Sequence, residues 1–198
     1  MIPAGALGPW PLEGRFVRLE PLEPRHHADL IRLADAEPML WTYMPLDASG
    51  GFAPKLVTIV AENAKGAWRS YAVRRLCDGA VVGSTSYMAI APADARVEIG
   101  ATWYESGAQA TAVNPESKLL LLANAFAAGF NRVEFKTDSR NARSRAAIKK
   151  LGAVEEGTLR GHMAMPQGYF RDSVYFSILA AEWPVVRAGL EKRLAAFA

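Results

Sequence analysis

A chain of 198 residues, 51% of them hydrophobic and 22% charged, is long enough to bury a sizeable core and too apolar to be disordered. The formal net charge of +3 is too mild to indicate nucleic-acid binding, and the single cysteine, Cys77, excludes an internal disulfide framework and a cysteine zinc site. The opening residues Met1 to Ala6 lack a basic segment followed by a long apolar one, and the run 119–122 is too short for a bilayer, so the expectation is a cytoplasmic chain with no membrane partner and no metal.

Residues 1–14 are rich in proline and glycine and read as an arm. Residues 15–22 alternate apolar and polar, the pattern of a strand. Pro24 opens a helix with Leu30, Ile31, Leu33 and Ala34 at helical spacing. Residues 38–54 look irregular and contain Trp41, Tyr43, Met44 and Phe52; a second helix follows over 54–65. Two strands, 69–77 and 80–90, flank Asp78-Gly79, a tight-hairpin signal because a type I′ turn needs positive φ at both central positions. A fourth strand runs over 95–104.

The segment 106–113 is then small and polar, and Asn114-Pro115 starts a helix with Asn as N-cap and Pro at the first position. Its apolar stripe is Leu119, Leu122, Phe126 and Phe130. A strand over 132–137, a helix over 141–151 stopped by Gly152, strands over 153–165 and 169–181, and a last helix opened by Trp183-Pro184 complete the chain. This order predicts an α/β (α+β) fold: a mixed, mostly antiparallel seven-stranded sheet with helices on both faces, in one domain over 15–198.

Two segments carry candidate chemistry. A strand, a loop of small residues and a capped helix start, over 97–114, is the recipe for an anion site, because free N–H groups and the helix dipole attract phosphate. In the helix over 141–151, at 100° per residue, Ala147, Ile148 and Leu151 share the core face with Asn141 and Ser144. Polar side chains there need partners; either they bind a ligand, or Asn141 is an N-cap and Ser144 bonds back to the helix.

The stretch 136–153 resembles the second half of the GNAT acetyltransferase core, in its Rim-type branch of ribosomal-protein N-acetyltransferases. That branch carries Asn-x-x-Ser-x-x-Ala-Ile-x-x-Leu-Gly, matched here by Asn141, Ser144, Ala147, Ile148, Leu151 and Gly152. Residues 12–22 resemble its first strand, and 171–178 with Glu182-Trp183-Pro184 its closing strand and sequel.

The resemblance implies a GNAT-like acyl-CoA N-acyltransferase fold that passes an acetyl group from acetyl-CoA to a primary amine, either a protein N-terminus or a small molecule. It implies that Gln109, Ala110, Thr111, Ala112, Val113 and Asn114 form the pyrophosphate loop, with Ala112 and Asn114 standing where the family pattern has glycines. Glu116, in the first helical turn, would repel that pyrophosphate. Thr102, Trp103 and Tyr104 would bond the pantetheine arm through their backbone, joined by Asn141, with Ala147 on the same surface. Ser144 is the candidate acid for the departing thiolate. Candidate bases are Glu98 and His162, with Asp172 behind them; each also has a structural reading, Glu98 as a solvated strand residue and Asp172 as an ion-pair partner. A water relay is also open. The basic residues Arg140, Arg143, Arg145, Lys149 and Lys150 either meet phosphates or form a solvated face. Trp41, Tyr43 and Met44 either line the acceptor cleft or belong to the core. A non-catalytic acyl-CoA-binding module on the same fold is the alternative function. A homodimer is left open.

Overall fold

The computed structural model describes residues 5, 7–8, 10–45 and 50–197. Most of the N-terminal stretch scanned for a leader, and part of the irregular segment 38–54, lie outside these. Among the described residues eight strands form one sheet in the order β1-β2-β3-β4-β5-β6-β8-β7. They are β1 (Leu12–Glu13), β2 (Val17–Pro21), β3 (Arg69–Arg75), β4 (Val81–Ala91), β5 (Arg96–Tyr104), β6 (Arg132–Asp138), β7 (Val154–Ala164) and β8 (Phe170–Leu179). The helices are α1 (His27–Ala36), α2 (Ala53–Ala64), α3 (Val113–Ala127), α4 (Ala142–Lys150) and α5 (Trp183–Ala195).

The eighth strand corrects the expected seven. β1 lies in the segment read as an arm and pairs with β2 through Leu12↔Leu19 and Glu13↔Arg18. Two residues cannot display a period of two, so alternation could not reveal it. The hairpin at Asp78-Gly79 forms, but as a four-residue loop: Arg75 N–H donates to the Ala80 carbonyl at 2.8 Å, and of the two expected positions only Gly79 has positive φ, +71°. Asp78 instead accepts from the Arg75 guanidinium and from Ala80 N–H.

Alternation decides which side each helix covers. Val97, Ile99, Val133, Phe135, Val174, Phe176 and Ile178 are buried in one core with Leu121 and Leu122 of α3, Ile148 of α4 and Leu190 of α5. A smaller cluster on the other face joins Leu30 and Leu33 of α1, Leu56 and Ile59 of α2, Trp41, Phe52 and Trp103. Helices α1 and α2 shield only the β2–β5 half of that second face. Beyond it β6 and β8 carry polar side chains on that face: Glu134↔Ser177, Lys136↔Tyr175 and Asp138↔Ser173 are directly opposed pairs, with Asp138, Ser173 and Ser177 buried.

The start of α3 differs from expectation. It begins at Val113 with Ala112 as N-cap, so Asn114 is inside the helix and caps nothing. Its buried face is Leu121, Leu122 and Ala125, and in its first half the buried side chains include Glu116, Ser117 and Lys118. Leu119 and Phe126 are only partly buried.

Candidate active site

Strands β5 and β6 are parallel and pair only at Arg96↔Arg132, Val97↔Val133 and Glu98↔Glu134. β5 continues to Tyr104 and β6 to Asp138, so their C-terminal ends part and the facing backbone of β5 has no strand partner. The parting coincides with a bulge. Ser84 faces Trp103 and Ser86 faces Gly100, so two residues, Ala101 and Thr102, oppose Thr85. Ala101 takes φ +48°, a left-handed conformation that bulges exploit. Thr102 consequently turns toward α3, where its hydroxyl meets Thr85 Oγ1 at 2.7 Å and accepts from Lys118 Nζ at 2.6 Å. Trp103 packs on the other face against Trp41 and Phe52, with ring centroids 5.3 and 5.2 Å away. The Trp103 and Tyr104 side chains are core, which leaves the backbone of Thr102–Tyr104 to line the gap.

The loop before α3 departs from expectation in a favourable way. Ala112 has φ −65° and a buried methyl, so glycine is not needed there; the left-handed position is Ala110, at φ +60°. Thr111 Oγ1 donates to the Ala108 carbonyl at 2.7 Å and accepts from Val113 N–H at 3.3 Å. The positive end of the α3 dipole and its first-turn amides open on this loop. Glu116 does not face it. Its carboxylate accepts from Arg15, Phe16 and Val17 N–H at 2.8, 2.6 and 2.7 Å, anchoring the N-terminal strand. A Cβ on Gly14 would lie 2.4 Å from the Glu116 Cδ, so glycine is what lets the chain cross this carboxylate.

Gln109 joins the two strand–helix units. Its Nε2 donates to the Tyr104 carbonyl at 3.0 Å, and its Oε1 accepts from Arg143 of α4 at 2.7 Å. Arg143 of the basic cluster is therefore at the loop mouth. Arg145 and Lys149 pair with Glu155, and Arg140 with Asp138. In α4, Asn141 is the N-cap: its Oδ1 accepts from Ser144 N–H at 3.0 Å, leaving its NH₂ for another acceptor. Asn141, Ser144 and Ala147 are half-buried and Ile148 and Leu151 buried, the face that helical spacing predicts.

Across the gap lies the polar face of β6 and β8. Glu98 is buried, not solvated; it pairs with Lys136 Nζ at 3.0 Å. Its other oxygen lies over Gly100, where a Cβ would stand 2.9 Å from it. His162 is carried by a second bulge, in which Leu159 to Met163 of β7 span only Ser173 to Arg171 of β8. Asp172 clamps that bulge by accepting from Gly161 N–H at 2.7 Å, and among the described residues no arginine pairs with it. The bulge places His162 Nδ1 at 3.0 Å from Ser173 Oγ, with Nε2 at 3.5 Å from Tyr175 Oη. Partial burial, then the charges of Lys136 and Arg171, lower the His162 pKa below the ordinary histidine value. Glu98 and His162 share this face; no hydrogen bond joins Ser144 to either among the described residues. Trp41 is core, its indole donating to the Ala34 carbonyl at 3.0 Å. Tyr43 lies at the rim, where Arg140 sits between its ring and that of Tyr169. Met44 packs on the smaller cluster, and its carbonyl meets Gln167 of the β7–β8 turn.

Sequence reasoning missed Lys118, Gly100 and Arg171. Lys118 is fully buried with two hydroxyls and no carboxylate, and burial pushes its pKa down to about 7. Among the described residues no group of three or more His, Cys, Asp or Glu side chains is placed to hold a metal ion. Nor is any helix among them long and apolar enough to cross a membrane.

Residues 17–154 match the family model described as an acetyltransferase (GNAT) domain. The chain belongs to the GNAT acetyltransferase family. Solved GNAT relatives agree over nearly the whole length. A GCN5-related N-acetyltransferase from Brucella melitensis is 29% identical with a TM-score of 0.89, covering 97% of this chain and 88% of that one. A putative acetyltransferase from T. thermophilus is 36% identical with a TM-score of 0.84, covering 96% and 99%. RimJ of Mycobacterium smegmatis, solved with CoA-disulfide, is 23% identical with a TM-score of 0.77 over 94% and 93%, a likeness of fold. No match was found among curated protein sequences.

Proposed function

We propose that this GNAT chain is an acetyl-CoA-dependent N-acetyltransferase that acetylates a primary amine docked on the polar face of β6 and β8. The parting of β5 and β6 after Glu98 carries the reading. It connects a helix start able to hold a pyrophosphate, on one side, with the polar face of β6 and β8 on the other.

The residues present suit the coenzyme. The first-turn amides of α3, the loop Gln109–Asn114 and Arg143 would hold its pyrophosphate. The backbone of Thr102–Tyr104 and the Asn141 NH₂ would hold the pantetheine arm, which runs past Ala147. The coenzyme supplies the acetyl group as an activated thioester. The acceptor amine must lose a proton to be a nucleophile, and His162 has the properties of its base: in the tautomer whose Nδ1–H donates to Ser173, 3.0 Å away, Nε2 carries the lone pair. Glu98, held by Lys136, supports positive charge as it develops on the imidazole and the amine. Ser144 is the proton donor to the departing sulfur.

Thiol release from acetyl-CoA, measured against a panel of primary amines and N-terminal peptides, tests the reading. Release should require an amine and match the acetylated product one for one. Coenzyme binding without transfer to any amine would favour the non-catalytic module. Ser144→Ala should lower kcat about 10- to 100-fold with little change in coenzyme affinity; unchanged kcat would remove Ser144 from the mechanism. The acid limb of kcat/KM should fall below the ordinary histidine pKa and disappear in His162→Gln. A limb that persists in this variant would exclude His162 as the base.

A further inference from the structure

Arg171 is 5% exposed, yet its Nε and Nη2 hydrogens have no partner among the described residues. It lies on β8 two residues beyond Ser173, on the same polar face as Ser173 and Tyr175 and opposite to the helices α3, α4 and α5. Its neighbours' charges are already matched. Lys136 pairs with Glu98 at 3.0 Å and Arg140 with Asp138 at 3.0 Å, while Tyr169 Oη also donates to Asp138 at 2.8 Å. Neither Glu98 nor Asp138 forms an ion pair with Arg171, though both act on it electrostatically. Around Arg171 the two nearby carboxylates, Glu98 and Asp138, are thus each taken by another cation, and the buried guanidinium is left without an ion pair among the described residues.

An unpaired buried charge is strongly disfavoured, and leaving its N–H groups unmatched adds to that. Two unpaired guanidinium hydrogens have the fork geometry that matches a carboxylate. A phosphate of the coenzyme is not the natural occupant, since the phosphate-binding features cluster at α3 and α4, across the sheet. We propose that Arg171 binds a carboxylate of the acceptor, so that the amine acetylated belongs to a molecule that also carries a carboxylate. This rests on the acetyl-transfer reading above and names the substrate class of the same site. The carboxylate comes either from the α-carboxyl of a free amino acid or from an acidic side chain in an N-terminal peptide.

The test compares matched acceptors: L-amino acids against their amides, and tripeptides with Asp or Glu at position two against those with Asn or Gln. For the wild type, kcat/KM should favour the carboxylate member of at least one pair set by about 10- to 100-fold, through KM; whichever set responds identifies the source. In Arg171→Met the ratio should fall to near one. A merely structural role would lower both members and keep the ratio. Melting temperature with the same acceptors is a readout independent of turnover: carboxylates should stabilise the wild type and not Arg171→Met. A wild-type ratio near one in both sets overturns the proposal, whether or not the variant folds, as does a ratio preserved in the variant. If no acceptor is turned over but carboxylates still stabilise only the wild type, the transfer reading fails and the anchor stands.

Discussion

Lys118 and Glu116 sit on the buried side of α3, and each answers to a segment distant in sequence. Glu116 is fixed by three amides of residues 15–17, Lys118 by Thr85 and Thr102. An ammonium held down to about 7 makes stability depend on pH. The unfolded chain keeps that proton up to the ordinary lysine range, so between about pH 7 and 10 it binds more protons than the folded one. Stability should rise with pH across that window, and below about pH 7 the burial penalty is present in full. Lys118→Met removes the penalty without orphaning the two threonines, which also bond each other at 2.7 Å. The variant should therefore be more stable than wild type at pH 6, by roughly 2–4 kcal/mol, with the gap closing toward pH 10. Denaturant unfolding of both across that range measures it; a gap independent of pH would contradict the assignment. Neither residue's role was legible in the sequence. Position in a first helical turn says that a carboxylate is near the dipole, not which way it points. A lysine between Ser117 and Leu119 shows nothing in its spacing that tells burial from solvent.

At the scale of elements, α4 was the most legible, and for a physical reason. Its apolar residues repeat at helical spacing, its cap is an Asn, and its stop is Gly152 at φ +98°. What the sequence left open was whether Asn141 caps the helix or serves a ligand. The structure shows that its two ends are separable: Oδ1 caps Ser144 N–H and the NH₂ remains. Asn141→Asp should therefore leave stability within about 0.5 kcal/mol, because Asp caps as well as Asn. It should weaken acetyl-CoA binding about 3- to 10-fold, the worth of one hydrogen bond. Unchanged affinity in calorimetry would remove Asn141 from the pantetheine site. The bulges were illegible. Two extra residues in β7 leave the alternation of a long strand readable on either side, so nothing in the pattern signals that His162 is swung over Ser173. The same holds for Ala101, whose left-handed backbone sends Thr102 and Trp103 to opposite faces.

At the scale of the whole molecule, the order of elements sufficed to predict a mixed sheet with helices on both faces. It could not reveal that α1 and α2 stop short of β6 and β8, because coverage depends on how helices lie across strands. The face beyond those helices carries the polar residues of β6 and β8, several of them buried. It also gathers Glu98, Lys136, Arg171 and His162 from four different strands, which no local spacing could bring together. The central claim is that one gap in the sheet receives acetyl-CoA, held by α3 and α4. The most direct measurement is thermal unfolding of the intact chain with and without acetyl-CoA. At about 100-fold over the dissociation constant the coenzyme should stabilise the fold by about 2.7 kcal/mol. No shift in melting temperature at millimolar acetyl-CoA would contradict the account.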